Sequence, residues 1–509
     1  MHTMIDPLKR ALQIAPQGIA LIDGDVQMSY QSLWQRCGQL VAGLRSLGAK
    51  DGDRIAILAD NSHQYVETYL AVPAGNMVVV PLNTRHAMPE LLYALKDSGA
   101  KILLTDRPEL AELAALVEHI VSLPDDYEKL LAGSQQAILG EHGDGYPNED
   151  TLAGLFYTGG TTGASKGVML THRNLIANTY NWLATVPNSA SDCTLLMAPL
   201  FHAAGSNGIL GAIWMGARQV VLRAFDPGAA LDLIEKHRVN MTLGVPAMLS
   251  AMAEEQFRQP RKVDSLQVLS HGGSPIATPV IQRTSSAFPG ACMVEVYGAT
   301  ELSPLATILT DEEQLVDDDR ARSCGRAAIG CAISVCDPEG RSLPCGTVGE
   351  VVVAGSNVMI GYWNKPEQTA AVLKDGRYWT GDLGYLDEAG YLFLVDRSKD
   401  MIISGGENVY CTEVEEVLYK HPAVLEAAAF GVPDDKWGEA VQGVIVLRPD
   451  AGEVDPLQVI AFCKEHIAGY KVPKNIAIST EALPKSGPGK VLKRELRAPY
   501  WQDADRAVN

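Results

Sequence analysis

At 509 residues the chain has room for about three domain-sized units. Apolar residues make up 47% and charged residues 20%, which excludes a disordered chain and supplies ample material for a large core. Lys and Arg total 42 against 61 Asp and Glu, a formal net charge of −19 that excludes general nucleic-acid binding, since that requires basic groups to neutralise phosphates. A local basic pocket for a phosphorylated ligand stays compatible with this balance.

The first eighteen residues, MHTMIDPLKRALQIAPQG, lack a continuous apolar core and a small-residue cleavage site, so no signal peptide is expected. Apolar Leu33, Cys37, Leu40, Val41, Leu44 and Leu47 recur at helical spacing, and RIAILAD (54–60) reads as a buried strand. A helix around Tyr65–Leu70 leads to MVVVPL (77–82), and KILLTD (101–106), RQVVLR (218–223), NMTLGV (240–245) and LQVLSHGG (266–273) continue the alternation. Strands apolar on both faces, alternating with helices, predict a layered α/β fold. The apolar stretch 208–222 is interrupted by Arg218 and Gln219 and reads as a buried helix and strand; no apolar run reaches about 18 residues, so no membrane span is expected, and the cytoplasm is the expected location. The nine cysteines form no CxxC pair, and the spacings among Cys324, Cys331, Cys336 and Cys345 match no zinc pattern, which predicts reduced, mostly buried thiols.

After Asp387 the character changes. Two short strand-like runs flank DRSKD, then a helix (412–420), strands (424–431, 441–447), a helix (456–468) and a Lys-bearing tail predict a compact α+β unit of about 110 residues. The expected organisation is α/β: a large N-terminal layered α/β domain (1–396), a hinge (397–399) and a small, mobile C-terminal α+β lid domain (400–509).

The strongest chemical signal is YTGGTTGASKGV (157–168), where glycines allow close backbone approach, hydroxyls offer donors to phosphate oxygens and Lys166 adds positive charge. It does not fit the Walker pattern, because no GK[ST] occurs. This loop resembles the phosphate-binding motif of the adenylate-forming superfamily, which comprises acyl-CoA synthetases, peptide-synthetase adenylation domains and firefly luciferase, with Gly159 in place of the usual Ser and Ser165 in place of Pro. PLFH (199–202), HGGSP (271–275), YGATE (297–301), YWTGD (378–382), DRSKDMIISGGENVY (396–410) and PKSGPGK (484–490) follow in the family's order. The resemblance is greatest to a free-standing acyl- or aryl-CoA ligase.

The resemblance implies ATP, Mg²⁺ and coenzyme A as partners of a small-molecule carboxylic acid, and it leaves a homodimer open. It assigns the nucleotide to Thr158, Gly159, Gly160, Thr161, Thr162, Gly163, Lys166, Gly273, Ser274, Tyr297, Gly298, Ala299, Thr300, Asp382, Arg397 and Lys490. Tyr297 would stack on adenine, Thr300 contact phosphate and Asp382 bind the ribose hydroxyls. Glu301 would hold Mg²⁺, a hard cation that takes oxygen ligands. Lys490 would stabilise the charge that develops when a carboxylate meets the α-phosphate, and Lys399 would be the pivot. The acyl pocket would draw on His202, Ala203, Ala204, Asn207, Gly211, His271, Gly272, Ala299 and Ser303; CoA would meet Ser404, Gly405, Gly406, Glu407, Trp437 and Lys471.

Blander roles compete at several positions: a solvated tail lysine for Lys490, a turn residue for Asp382, a core aromatic for Trp437, a satisfied buried imidazole for His202, and solvated lysines for Lys471 and Lys474. Trp379 reads as core. Only 19 residues follow Lys490, too few for a carrier domain, and SGGE (404–407) with WGE (437–439) points to CoA as acceptor. The small residues Ala203, Ala204, Gly205, Gly208 and Gly211 predict room for a bulky acid, and the absence of Lys and Arg from the pocket stretches speaks against malonate. An aromatic acid of the hydroxycinnamate or benzoate type is expected, with a medium-chain fatty acid as the alternative. A carrier-loading adenylation enzyme, a luciferase-like oxidation and a non-catalytic nucleotide-binding relative are the rival functions.

Overall fold

The computed structural model describes residues 3–107, 111–137, 139, 147–158, 165–274, 276, 278–310, 319–397, 400–404, 407–434, 436–449, 451–485 and 491–501. Contacts divide the chain into two compact units, one of Met1–Gly273, Thr278–Ile333 and Val353–Trp379, the other of Ser274–Ala277, Ser334–Val352 and Thr380–Asn509.

Two mainly parallel sheets build the first unit. In one, the strands run in the spatial order Gly361–Tyr362, Lys166–Thr171, Leu152–Thr158, Val78–Pro81, Arg54–Leu58, Ile102–Thr105 and His119–Ser122. Every residue of Val78–Pro81 and Ile102–Thr105 is buried, as parallel strands covered on both faces require. The other sheet centres on the parallel strands Arg218–Val221, Cys193–Leu196, Met241–Gly244, Val268–Gly272 and Cys292–Tyr297, with antiparallel strands at its edges. The helix Tyr30–Ser46 is capped by Ser29, whose hydroxyl accepts the Ser32 N–H at 3.1 Å, and it buries Leu33, Cys37, Leu40, Val41 and Leu44, the set its periodicity predicts.

In the second unit the strands Val424–Asp434 and Gly438–Leu447 form a long antiparallel pair. Asn475–Ser479 adds in parallel to Gly438–Leu447, and Ile402–Ser404 joins it through Ser404 opposite Gly438. The helices Cys411–Lys420 and Pro456–His466 contribute Val414, Leu418, Val459 and Cys463 to one core with Val424 and Ile445. Within this unit Lys493 is buried against Glu415 at 2.8 Å, and Glu415 also accepts the Ala429 N–H at 2.8 Å. Burial alone would lower the Lys493 pKa, but the charge of Glu415 outweighs it and raises the pKa above the ordinary lysine range. All nine cysteines are free thiols, six of them buried and Cys345 exposed.

One helix organises the irregular backbone of the first unit. Asn174, Asn178 and Asn181 of His172–Thr185 recur at helical spacing and are all buried. Asn174 donates to the Ser356 and Val358 carbonyls at 2.8 Å each. Asn178 accepts the Leu305 N–H at 2.8 Å, and Asn181 accepts the Gly330 N–H at 2.8 Å. Asn357, wholly buried, closes the set by donating to the carbonyls of Leu302 at 2.9 Å and Leu305 at 2.7 Å. Buried backbone groups without a strand partner are costly unless paired, and these amides pair them. Asn357→Ala is expected to strand two buried carbonyls and lower stability by about 3 kcal/mol in urea denaturation. Asn148→Ala, at an exposed turn, should cost far less.

Candidate functional site

The segment read from sequence as a phosphate loop is entered and left through a hairpin. Thr158 and Lys166 stand opposite each other where Leu152–Thr158 and Lys166–Thr171 pair antiparallel, and the Ser165 hydroxyl donates to the Thr158 carbonyl at 2.8 Å. The loop's root is tied down by Tyr157, whose hydroxyl donates to Asp97 at 2.7 Å; Lys365 reaches the same carboxylate at 3.2 Å and the Trp363 indole N–H donates to the Asp97 carbonyl at 3.0 Å. Gly159, Gly160, Thr161, Thr162 and Gly163 lie outside the described residues.

Beside this root, the short strand Gly361–Tyr362 pairs with Lys166–Thr171 so that Tyr362 faces Val168. Side chains alternate along a strand, so Lys166 and Val168 share a face and Tyr362 is the diagonal neighbour of Lys166. The Lys166 ammonium sits 4.7 Å from the Tyr362 ring centroid, and the Tyr362 hydroxyl donates to Glu301 Oε1 at 2.7 Å. Burial, and after it the Glu301 charge, pushes the Tyr362 hydroxyl well above the usual tyrosine range, so it remains a donor. Sequence reasoning passed over Tyr362. The signal available was its GY dipeptide at the start of GYWNKPE, a glycine before an aromatic in a two-residue strand.

Glu301 sits in the 3₁₀ turn Thr300–Leu302, just after Tyr297, Gly298 and Ala299 leave the strand Cys292–Tyr297. Gly298 is needed for close approach: a Cβ there would lie 1.8 Å from the Pro304 carbonyl oxygen. Ser303, expected to line the acyl pocket, is fully buried with φ of +67°, and its hydroxyl donates to the Asn357 carbonyl at 2.8 Å. It buttresses the turn from inside instead. The preceding strand Val268–Gly272 carries His271, buried, and Gly272, where a Cβ would meet the Val296 carbonyl oxygen at 2.3 Å; Gly273 follows with φ of +81°. Ser274 falls in the second unit.

The helix Ala203–Met215 presents its small residues unequally. Ala204 and Gly208, one turn apart, are exposed, and a Cβ on Gly208 would meet nothing within 4 Å. Gly211, on the same stripe, would make only an ordinary contact with Trp182. Gly205 differs: a Cβ there would lie 2.3 Å from the Pro199 carbonyl oxygen, so it serves packing, and Ala203 is buried. The side chain of Asn207 lies outside the described residues. His202 takes the N-cap position, its ring 4.4 Å from that of Phe201 and its Nε2 buried without a hydrogen-bond partner among the described residues. Burial first, then the positive charges of Arg85 and His86, push its pKa down to about 4. Arg85 is a cation outside the residues that the sequence assigns to the acyl pocket.

In the second unit Asp382 stands directly opposite Arg397, where Arg377–Leu386 pairs with Leu392–Arg397. The preceding turn uses Gly381 at φ +73°, its N–H donating to Glu350 at 3.0 Å, while the Asp382 N–H donates to the Thr380 hydroxyl at 3.0 Å. Trp437 is 40% exposed, with the Lys436 ammonium 4.6 Å and the Lys474 ammonium 6.0 Å from its ring centroid. The core-aromatic alternative is thereby removed for Trp437, whereas Trp379 is buried as expected. Lys471 is neither solvated nor at this ring: its ammonium makes 2.6 and 2.8 Å bonds to the two Glu413 oxygens. Ser404 is buried and Glu407 exposed. Lys399, Gly405, Gly406 and Lys490, and the side chain of Arg397, lie outside the described residues.

Comparison with known proteins decides the family. Residues 8–363 match the AMP-binding enzyme family and residues 413–490 match the AMP-binding enzyme C-terminal domain. The chain belongs to the AMP-binding enzymes. A feruloyl-CoA synthase from an Amycolatopsis species is 39% identical over 494 residues, covering 96% of this chain and 97% of the relative. A fatty acid–[acyl-carrier-protein] ligase, ScoC, from Streptomyces coeruleorubidus is 33% identical over 100% of this chain and 98% of its own. Among solved structures, ATP-bound MatB from Rhodopseudomonas palustris superposes with a TM-score of 0.89 at 30% identity, covering 98% of this chain and 99% of that one. The o-succinylbenzoate coenzyme A synthetase MenE from Bacillus subtilis, in complex with ATP and magnesium ion, gives 0.86 at 31%, covering 96% and 98%. The protein is an adenylate-forming acid–CoA ligase, and it uses ATP.

In this AMP-binding enzyme the lowered pKa of His202 keeps its imidazole neutral at physiological pH. A histidine whose folded pKa lies below its unfolded value of about 6.5 stabilises the fold above that value and loses the contribution as pH falls toward the folded pKa. His172, buried with its pKa pushed down to about 3, acts in the same direction. Stability is therefore expected to fall between pH 6.5 and 4, by up to ~3 kcal/mol for His202 alone. His202→Gln should flatten that slope, as read from chemical denaturation at half-unit pH intervals.

Proposed function

We propose that this ligase activates an aromatic carboxylic acid of the hydroxycinnamate or benzoate type and transfers it to coenzyme A. The observation that carries the acid is the open face of Ala203–Met215, where Ala204 and Gly208 leave room for a bulky, flat group. The likeness to a feruloyl-CoA synthase over nearly the whole chain supports the same reading. The acceptor is supported by Trp437, a half-exposed indole flanked by two lysines, which suits a purine ring and its phosphates. Lys436 and Lys474 take the phosphate role, not Lys471, whose charge Glu413 already answers.

Two anions must meet in the first half-reaction. The acid's carboxylate oxygen attacks the α-phosphorus of ATP and pyrophosphate leaves, giving the acyl adenylate. Lys166 holds the phosphates, Thr300 contacts them, Tyr297 stacks on the adenine, and Asp382 takes the ribose hydroxyls. Lys490 supplies positive charge at the attacking carboxylate. Glu301 presents one hard carboxylate oxygen beside the one Tyr362 engages, which fits Mg²⁺, an ion held by one or two carboxylates together with substrate phosphates. When bound, that ion screens the repulsion between the two anions.

In the second half-reaction the small domain (400–509) turns about Lys399, and Gly405 and Gly406 line the pantetheine passage. The CoA thiol gives up its proton to water, the thiolate attacks the acyl carbonyl, the carbonyl–phosphate oxygen bond breaks, and AMP leaves.

Pyrophosphate release measured over ferulate, 4-coumarate, benzoate, octanoate and palmitate, with and without CoA, tests the assignment. Sustained release is expected with the aromatic acids and only when CoA is present. Preference for a fatty acid overturns the acid class, and indifference to CoA favours carrier loading. Lys490→Ala is expected to slow adenylation about 10²–10³-fold while leaving thioester formation from supplied acyl-AMP intact. Trp437→Ala should raise the KM for CoA about tenfold without changing the adenylation rate.

A further inference from the structure

One short segment is bonded to Glu301, Leu302 and Ser303 in turn. The Met359 N–H donates to the Glu301 carbonyl at 2.8 Å, the Asn357 side-chain amide to the Leu302 carbonyl at 2.9 Å, and the Ser303 hydroxyl to the Asn357 carbonyl at 2.8 Å. Asn357 also donates to the Leu305 carbonyl at 2.7 Å, and the Tyr362 hydroxyl to Glu301 Oε1 at 2.7 Å. The far end of the same segment is bonded to the hairpin strand Lys166–Thr171. There the Ile360 N–H donates to the Met169 carbonyl at 3.2 Å and the Trp363 N–H to the Gly167 carbonyl at 2.8 Å, with Gly361 opposite Met169 and Tyr362 opposite Val168. Residues 357–363 are thus a strap between the Glu301 turn and the strand that leaves the phosphate-loop segment.

We propose that Asn357 is a positioning residue: through the strap it holds the Glu301 turn at a fixed distance from the phosphate-loop hairpin, so that one ion can be shared by carboxylate and phosphates. The proposal rests on the reading of Glu301 as the Mg²⁺ carboxylate. Mg²⁺ demands near-ideal octahedral geometry with short bonds, so a carboxylate and the substrate phosphates that share it must be held in one register. The turn cannot keep that register alone. Ser303 stands at φ +67°, a left-handed conformation that costs a non-glycine residue energy and persists only where surrounding bonds enforce it. Asn357 supplies those bonds and is itself wholly buried, with its Oδ1 accepting the Cys331 thiol at 3.3 Å while its amide holds the two carbonyls. It cannot turn away without stranding buried polar groups, which makes it a stiff strut. Groups that orient a metal carboxylate from behind govern affinity for the ion without touching it.

The test is ATP binding without turnover: calorimetry with no acid present, in excess Mg²⁺ and again in EDTA, at a temperature where circular dichroism shows each variant folded. The ratio of the two affinities is the gain the metal supplies. Asn357→Ala is expected to cut that gain about tenfold while metal-free ATP binding stays within about twofold of wild type. Ser303→Ala removes one bond of the strap and should cut the gain about threefold, which keeps the test available if Asn357→Ala does not fold. Leu231→Ala, a cavity in the core under the helix Pro227–His237, lowers stability comparably and should leave the gain unchanged. Glu301→Gln separates the inference from its foundation. If Glu301→Gln loses the gain and Asn357→Ala and Ser303→Ala keep it, the positioning role is overturned and the metal assignment stands. If Glu301→Gln keeps the gain, the metal assignment falls and the inference with it. Equal losses with and without metal in Asn357→Ala, or loss of the gain in Leu231→Ala, would also overturn it, because they reduce Asn357 to a residue of the fold.

Discussion

A buried stretch of backbone that belongs to no strand must still satisfy its N–H and C=O groups, and in this protein side-chain amides meet that requirement. The segment 298–305 leaves a central parallel strand, makes a single 3₁₀ turn around Glu301 and returns to the sheet as Thr307–Leu309. Asn357 takes two of its carbonyls and Asn178 one N–H. The same helix that carries Asn178 uses Asn174 to hold the carbonyls of Ser356 and Val358, on either side of Asn357. The clamp is thus reciprocal. An amide has both a donor and an acceptor end, so one residue type can bind whichever backbone group a turn leaves exposed. Without this, Glu301 would sit on a loop whose position was set only by its own few local bonds, and the contact with Tyr362 would have no fixed geometry.

Much of the layered architecture is readable from periodicity because parallel strands covered on both faces must be apolar throughout. RIAILAD, MVVVPL and KILLTD became adjacent parallel strands for that reason. Periodicity does not reveal the strand Asn475–Ser479. Only Ile476, Ala477 and Ile478 are apolar there, and its partner Gly438–Leu447 supplies the rest of the pairing. The motifs carry the family resemblance because glycine and hydroxyl requirements at a phosphate loop leave a local signature. Tyr362 has only its GY dipeptide as a local cue and the asparagine clamp only its helical spacing, because each acts through a partner far away in sequence: 61 residues separate Tyr362 from Glu301 and 127 separate Asn178 from Leu305.

Two neighbouring lysines show what composition cannot resolve. Lys471 and Lys474 share the segment GYKVPK, and sequence offers no ground for preferring either as a phosphate ligand. The fold separates them. Lys471 meets Glu413 on the helix Cys411–Lys420 and forms a two-oxygen ion pair, while Lys474 points its ammonium toward the Trp437 ring. A lysine already answered by a carboxylate would have to break that pair to bind a phosphate. One over an aromatic face keeps its charge available.

The same economy of charge runs through the protein. With a formal net charge of −19, the long-range field opposes an acid, ATP and CoA alike, all of them anions. Against this net repulsion, cations count most at short range, within a Debye length of about 8 Å at physiological salt. Such cations are useful only if they are not consumed by the surrounding excess of carboxylates. On the smaller unit the ammonium groups of Lys436 and Lys474 lie 4.6 and 6.0 Å from the Trp437 ring centroid, and in the proposed reaction an aromatic face would hold such cations without adding a negative charge. In an acidic protein whose proposed ligands are all anionic, a lysine on a π-face gains a partner that adds no negative charge.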